Sequence, residues 1–177
     1  MNLQPILVES LSQATAQVFS TMLGVEIVRG EVTTEDGKQE GNDGVVSFIG
    51  LAGDWAGTGS LSCSPVLACR ICAAMLMCEA TAVNEEVLDA VAELTNMIIG
   101  SVKTDMETHL GPLGLSIPTV VFGRNFKTKS AGSNEWIVVK FHWEDETLQV
   151  RICLAPKGRS PHVMLHPGGP QACALDV

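Results

Sequence analysis

The strongest pattern of apolar and polar positions lies between Asn84 and Leu110, where apolar side chains recur with the period of an α-helix. Asn84 suits an N-cap, two glutamates follow in the first turn, and Gly111-Pro112 ends the pattern. We therefore predict one long helix. Its buried side comprises Val87, Val91, Leu94, Ile98 and Val102, flanked by Leu88, Thr95, Ile99 and Met106.

The other side of this predicted helix carries Asp89, Glu93, Asn96 and Gly100, which fall within roughly 60° of arc. We call these four residues the polar stripe. A polar line on a helix is ordinarily a solvated surface. Here, however, no Lys or Arg occurs between residues 90 and 102, and Asn and Gly are poor helix formers. A mid-helix glycine costs about 1 kcal/mol, which favours a face that another molecule approaches closely.

The rest of the chain alternates between helix and strand patterns. A first amphipathic helix is predicted from Ile6 to Leu23, with Gly24 at its C-cap and an apolar side of Leu11, Thr15, Val18, Phe19 and Met22. Ser64-Pro65 predicts the start of a largely apolar helix from Val66 to Met77. Strand patterns cover residues 25–32, 45–51, 59–63, 117–123 with a continuation to 126, 136–143 and 147–154, with a hairpin at 53–57.

The order of these elements indicates an internal duplication within one domain, residues 1–155, with halves of about 1–63 and 64–155. The segment Thr21–Gly24 aligns with Met97–Gly100. In this register, three stripe positions are occupied in the first half by Gln13, Gln17 and Ser20. Only the second half therefore keeps the acidic and amide residues. Residues 156–177 are rich in proline and glycine, and we expect an irregular or partner-dependent tail.

Composition narrows the classes of function. The chain has 177 residues, 46% apolar and 18% charged, which fits an ordinary globular domain. Its formal charge of −9 and pI near 4.8 argue against binding to nucleic acid or to anionic membranes, since both favour excess Lys and Arg. The first residues lack a signal-peptide pattern, and no apolar run reaches the length of a membrane span. We expect a cytoplasmic protein.

The cysteines and histidines give weaker signals. The six cysteines, at 63, 69, 72, 78, 153 and 173, lie mostly in apolar patterns and are expected to be free thiols. Cys69-x-x-Cys72 lies within a predicted apolar helix, which disfavours a redox or zinc site. His162 and His166 lie in the tail without other ligands nearby, and His109 fits the polar end of the long helix.

Within the polar stripe, Glu93 and Asn96 place a carboxylate and a neutral amide one helical turn apart. An amide can both donate to and accept from one water molecule. Hydrolysis of a phosphoryl group needs such a group, because positioning and electrostatics supply most of its catalysis. Glu93 lacks a nearby second group that would make it a general base, but it can attract a lysine on a partner.

The segment Asp89-Ala-Val-Ala-Glu93-Leu-Thr-Asn96 resembles the signature of the CheC/CheX/FliY family of chemotaxis phosphatases. That signature is an Asp or Ser, three residues, a Glu, two residues, an Asn, and a proline roughly twenty-two residues later. Pro118 takes the last position, and Val120–Gly123 also resembles the family. The likeness extends from the first helix to the strand ending at Leu154, and the single motif is more similar to CheX than to two-site CheC.

The resemblance implies an α+β fold with internally duplicated αββ(β) halves, a mixed sheet, and two long helices packed on one side. It also implies a phosphatase acting on a phosphorylated CheY-type response regulator. Asn96 would orient the attacking water, Glu93 would pair with a lysine of the regulator, and Asp89 would support the contact. Gly100 would give clearance for the partner. The resemblance further implies a homodimer, and a Mg²⁺ ion held by the regulator, with no metal or cofactor bound by this chain.

Two hypotheses from different classes follow. In the first, the chain is a CheX-like aspartyl-phosphate phosphatase with Glu93 and Asn96 at its catalytic site. In the alternative, the same face is a non-catalytic docking or adaptor module for a response regulator or a chemotaxis or flagellar component. Hydrolysis of the partner's phosphoryl group distinguishes the two hypotheses.

Overall fold

The computed structural model of the protein describes residues 3–35, 42–126 and 135–157. Its elements are α1 (Gln4–Val18), continued by a π-helical turn (Phe19–Leu23), then β1 (Val28–Glu35), β2 (Asn42–Gly53), β3 (Trp55–Cys63), α2 (Pro65–Leu76), α3 (Glu85–Leu110), β4 (Leu113–Leu115), β5 (Thr119–Phe126), β6 (Trp136–Trp143) and β7 (Glu146–Pro156). The tail from residue 158, including His162, His166 and Cys173, lies outside the described residues, as do residues 36–41 and 127–134.

The described strands form one seven-stranded sheet in the order β1-β6-β7-β3-β2-β4, with β5 also paired to β2. Strands β4 and β5 share the edge of β2 that β3 leaves free, because they pair with residues 51–53 and 42–48. The predicted α+β class is confirmed, but the expected mixed sheet is wrong, since every described pairing is antiparallel. The pairs β2–β3 and β6–β7 are hairpins, and the two strands of a hairpin always run antiparallel. The two hairpins are joined in the sheet by the pairing of β3 with β7.

One face of the sheet carries the main core. Alternation along β6 places Val139 in the cluster shared with the helices, while Trp136 and Val138 form a separate buried cluster with Cys153 on the opposite face. The helices therefore lie on one side of the sheet, as predicted. None of the helices in the described ranges is long and apolar enough to span a membrane.

The two long helices, α1 and α3, pack against each other above this core. The Ser10 hydroxyl on α1 donates a hydrogen bond of 2.7 Å to the Asp105 carboxylate on α3. This contact joins helices that are separated by most of the first half of the chain. The predicted pairing of the two long helices is therefore confirmed, whereas the internal duplication stays a prediction.

The first helix differs from its prediction in two ways. Gly24 ends it in the left-handed conformation (φ 69°), as expected, but Met22 is 46% exposed and does not belong to the apolar side. A π-helical turn contains more residues than an α-helical turn, so it shifts the direction of the side chains that follow. Strand β1 then begins at Val28 rather than Val25, because the Val25 N–H still donates to the Phe19 carbonyl at the end of the helix.

The other helix and strand boundaries differ from the predicted ones by a few residues. The β2–β3 hairpin is tighter than predicted, with Asp54 alone between the strands. Strand β5 begins at Thr119 instead of residue 117, since Pro118 has no N–H to donate to the strand ladder. Strand β4 was not predicted. Helix α2 begins at Pro65, and its predicted cap is confirmed by the 3.0 Å hydrogen bond from the Leu67 N–H to the Ser64 hydroxyl.

Candidate functional site

Helix α3, which carries the polar stripe, is fixed at both ends by the residues that its sequence predicts. At its start, the Asn84 side chain accepts a hydrogen bond of 3.0 Å from the Val87 N–H, and Glu85 and Glu86 occupy the first turn. At its end, Gly111 has φ 77°, a conformation that favours glycine. The 26-residue helix therefore presents its side chains from a defined backbone.

The apolar side of α3 holds the helix against the sheet and α1. Of the predicted buried-side residues, Leu88 is half-buried and the others are buried. The hydroxyl of Thr95, which is also buried, donates to the Val91 carbonyl at 2.7 Å. Burial of each large apolar side chain contributes about 1.5–3 kcal/mol relative to exposure. The helix position is therefore set by its core packing rather than by its polar side.

On the opposite side, Asp89 and Glu93 are exposed, and Asn96 and Gly100 are half-buried. Within the described residues, no hydrogen bond or ion pair engages the side chains of Asp89, Glu93 or Asn96. The corresponding first-half positions differ, because Gln13 donates to a glutamate on α1 and Ser20 donates to Glu26. Of the described positions compared, only those on α3 combine a carboxylate and an amide that both lack a partner.

The far end of the stripe adjoins the edge of the sheet. A β-carbon built at Gly100 would lie 3.7 Å from Cδ1 of Leu115 on β4, which is an ordinary van der Waals distance. An alanine would therefore fit here without displacing its own protein. The predicted clearance at Gly100 concerns a partner molecule, and it stays a prediction.

The connection from α3 to β4 is fixed by Glu107. Its carboxylate accepts a hydrogen bond of 2.9 Å from the Leu113 N–H and one of 2.8 Å from the Lys103 ammonium. The hydrogen bond from Leu113, followed by the interaction with Lys103, lowers the pKa of Glu107. The charged carboxylate therefore couples the last turn of the helix to the strand that follows.

The connection between β4 and β5, residues 116–118, carries Pro118 and is fastened to β2 at Gly50. The Ser116 N–H donates to the Gly50 carbonyl at 2.9 Å, and the Gly50 N–H donates to the Ser116 hydroxyl at 2.8 Å. Pro118 is half-buried and directly precedes β5. The structure thus places the predicted proline at the same sheet edge that lies under the Gly100 end of the stripe.

Among the described residues, the other candidate groups do not form a second site. Five cysteines are free thiols in the described part of the chain, as predicted, and Cys69 and Cys72 are buried within the protein. Burial raises the pKa of Cys63 to about 12 and that of Cys72 to about 11, which opposes thiolate chemistry. His109 is exposed in the last turn of α3, as expected. Among the described residues, no group of three or more His, Cys, Asp or Glu side chains could hold a metal ion.

Comparison with known sequences assigns the family. The family model described as chemotaxis phosphatase CheX matches residues 45–142, an interval that contains the whole polar stripe and Pro118. The CheY-P phosphatase CheX of Thermotoga maritima is 32% identical over 128 residues, which cover 71% of this chain and 81% of that protein. The match to the family model therefore includes the candidate site.

Solved structures show the same fold. A CheC-like superfamily protein from Shewanella sp. PV-4 superimposes with a TM-score of 0.75 and 26% identity, covering 88% of this chain and 99% of that one. CheX from the CheX–CheY–BeF3–Mg²⁺ complex of Borrelia burgdorferi gives a TM-score of 0.71 and 24% identity, covering 84% of this chain and 97% of that chain. The family match over 45–142 and the 32% identity to a curated CheX show that this chain belongs to the CheX family of chemotaxis phosphatases.

Proposed function

We propose that this chain removes the phosphoryl group from the phospho-aspartate of a CheY-type response regulator. The T. maritima relative is a CheY-P phosphatase, and the B. burgdorferi protein forms a complex with CheY. The observation that carries the proposal is the pair Glu93 and Asn96, which lie one turn apart without a partner among the described residues, on a helix fixed at both ends.

In the proposed mechanism, the Asn96 amide enters the regulator's site and orients a water molecule in line with the bond to be broken. The water oxygen bonds to phosphorus as the bond between phosphorus and the aspartyl oxygen breaks. The bonding electron pair stays on the regulator's aspartate carboxylate, and both water protons leave with inorganic phosphate. The transition state for phosphoryl transfer is loose, so positioning the water supplies most of the rate gain. An amide is sufficient for this role, and a general base on this chain is not required.

Glu93 has a different role in the proposal. Its exposed carboxylate pairs with a lysine of the regulator and fixes how the two proteins dock, with Asp89 as a supporting contact. Gly100 lets the partner approach the helix closely. Pro118 restricts the backbone of the connection between β4 and β5, which lies at the Gly100 end of the stripe. A Mg²⁺ ion in the regulator neutralises phosphoryl charge when bound. We assign no metal or cofactor to this chain.

The decisive experiment follows phosphate release from a phosphorylated partner regulator in the presence of Mg²⁺. We expect Asn96→Ala to lower kcat by about 10²-fold or more, the usual cost of removing a positioning donor. Asn96→Asp keeps the shape but lacks the N–H donors, so it should also be slow. Thr104→Ala, an exposed position two turns further along α3, is the matched control and should keep the wild-type rate. Wild-type release by Asn96→Ala would refute the mechanism.

A second measurement separates docking from chemistry. Glu93→Gln should raise KM severalfold while changing kcat less, because an interfacial charge acts mainly on association and docking. If the wild-type protein binds the phosphorylated regulator without releasing phosphate, the chain is the non-catalytic docking module that its sequence leaves open. Binding that survives both Glu93→Ala and Asn96→Ala would further favour that module.

The homodimer and the cytoplasmic location expected from the sequence also belong to this proposal. Support for the dimer comes from the family resemblance. Sedimentation equilibrium over a range of protein concentrations measures the assembly directly. A mass equal to one chain at all concentrations would overturn the dimer without affecting the proposed reaction.

A further inference from the structure

The connection between β4 and β5 exposes a large apolar side chain, Ile117, to 87% of its maximum area. Isoleucine is among the residues most often buried, although single exposed apolar side chains are common on protein surfaces. Exposure alone therefore does not indicate a binding surface. Two further properties distinguish Ile117: the backbone that carries it is held in place, and it lies beside the polar stripe.

The backbone on both sides of Ile117 is restrained. Before it, Ser116 forms two hydrogen bonds with the Gly50 backbone, at 2.9 and 2.8 Å, and its hydroxyl also donates to the Ile117 carbonyl at 3.0 Å. After it, Pro118 restricts the preceding residue to extended conformations. The β-branched side chain has few rotamers of its own. Ile117 would therefore lose little conformational entropy when a partner covers it.

The position of Ile117 follows from its neighbour Leu115. Leu115 packs against the core on the helix side of the sheet and approaches Gly100 of α3. Ile117 lies two residues further along the same edge of β2, between the segments that pair with residues 51–53 and 42–48. It is therefore next to the Gly100 end of the polar stripe.

We infer that Ile117 is an apolar docking contact for the phosphorylated response regulator, seated in an apolar depression of that partner while Glu93 and Asn96 engage its phosphorylation site. The inference rests on the proposed function, because it takes the regulator as the occupant. It adds an anchor of a different chemistry to a site that is otherwise polar and acidic. Interfaces commonly place a rigid apolar anchor beside polar contacts that fix orientation.

The test is steady-state phosphate release over a range of regulator concentrations. Ile117→Ala should raise KM by about tenfold, because most of a buried isoleucine side chain is lost, and it should leave kcat within about twofold. Ile117→Val should stay near wild type. The matched control is Val28→Ala, which is 67% exposed on β1 at the opposite edge of the sheet and should leave KM unchanged.

Affinity for the beryllofluoride-treated regulator is measured in parallel, so that the two proposals can fail separately. If the wild type hydrolyses and Ile117→Ala changes neither KM nor Kd, the docking contact is wrong and the proposed function stands. If the wild type binds without hydrolysis, the function is wrong, and a tenfold weaker Kd for Ile117→Ala still supports the contact. No binding by the wild type overturns both. A change of oligomeric state in Ile117→Ala would instead assign Ile117 to a second copy of the chain and overturn the inference.

Discussion

Replacing Gly59 with alanine should push the site helix away from the sheet. A β-carbon at Gly59 would lie 2.7 Å from Cδ1 and Cγ1 of Ile99 and 2.8 Å from its Cγ2. Carbon atoms in contact ordinarily lie about 3.5–4.0 Å apart, so the two elements must separate by about 1 Å. Ile99 is fully buried on α3, and three of its atoms are involved, so a change of rotamer cannot relieve the overlap.

The magnitude follows from two opposing effects. Overpacking of this kind costs about 1–3 kcal/mol, whereas alanine regains about 0.5–1 kcal/mol over glycine inside a regular element. We expect a net loss of about 1–2 kcal/mol in the free energy of unfolding, measured by urea denaturation. Asn96 lies one turn before Ile99, and a displacement of about 1 Å in a positioning group can cost up to 10²-fold in rate. Phosphate release should therefore fall more than stability alone explains.

A double-mutant cycle tests the contact itself. Ile99→Ala alone should cost about 2–5 kcal/mol through the cavity that it leaves. In Gly59→Ala/Ile99→Ala the new methyl group occupies part of that cavity, so the double variant should be more stable than the sum of the single effects predicts, by about 0.5–3 kcal/mol. Additive losses would show that Gly59 and Ile99 do not touch, and the packing described here for α3 would be wrong.

Three further predictions concern the site helix and the thiols. Gly100→Ala should raise the free energy of unfolding by about 0.5–1 kcal/mol, because the new methyl group meets only Leu115, at 3.7 Å. It should nevertheless lower kcat/KM for phosphate release, because the partner needs the clearance at this position, and unchanged activity would refute that clearance. Because the pKa of Glu107 is lowered in the folded state, its stabilisation is present at neutral pH and lost in acid; the stability difference between wild type and Glu107→Gln should shrink as pH falls below about 4 in urea titrations. Burial raises the pKa of Cys63 to about 12 and that of Cys72 to about 11, so both thiols should resist iodoacetamide at pH 8 until the protein is unfolded. The half-buried Cys78 should react sooner, and peptide mapping of the alkylated protein measures the difference.

The sequence predicted the helices well where their signals are local. The periodicity of α3, its Asn84 cap and its Gly111 end all depend on residues within one element, and the structure confirms each of them. The β6 strand at 136–143 was likewise predicted in full, because apolar and polar residues alternate from Val139 to Trp143. Local pattern is thus sufficient for elements whose two sides differ clearly in polarity.

Pairing between strands could not be predicted in the same way. The antiparallel order of the sheet depends on contacts between distant segments, and strand β4 is only three residues long. The exposure of Met22 depends on a π-helical turn that has no clear signature in sequence. Contacts such as Gly59 with Ile99 arise only when sheet and helix are brought together.

At the candidate site, too, local pattern was predictable from the sequence, whereas contacts between distant segments were not. Periodicity places Asp89, Glu93, Asn96 and Gly100 on one side of a helix, and the structure agrees. Periodicity cannot show whether another element covers that side or pairs with it, and this decides whether the groups are available to a ligand. Ile117 was also missed, although an isoleucine before a proline in a predicted strand was a visible signal that this side chain would sit on a restrained backbone.

Two glycines explain how one helix serves both the core and the site. Gly59 has no side chain, so β3 can approach Ile99 closely and fix the distance between α3 and the sheet. Gly100 lies in the polar stripe, where the proposed function needs the helix backbone to be open to a partner. In the proposed reaction Asn96 acts only by position, so its helix must be packed firmly against the sheet while its polar stripe stays uncovered. The absence of a side chain at these two positions meets both requirements. Substitutions at Gly59 and Gly100 should therefore both lower activity, although they should change stability in opposite directions.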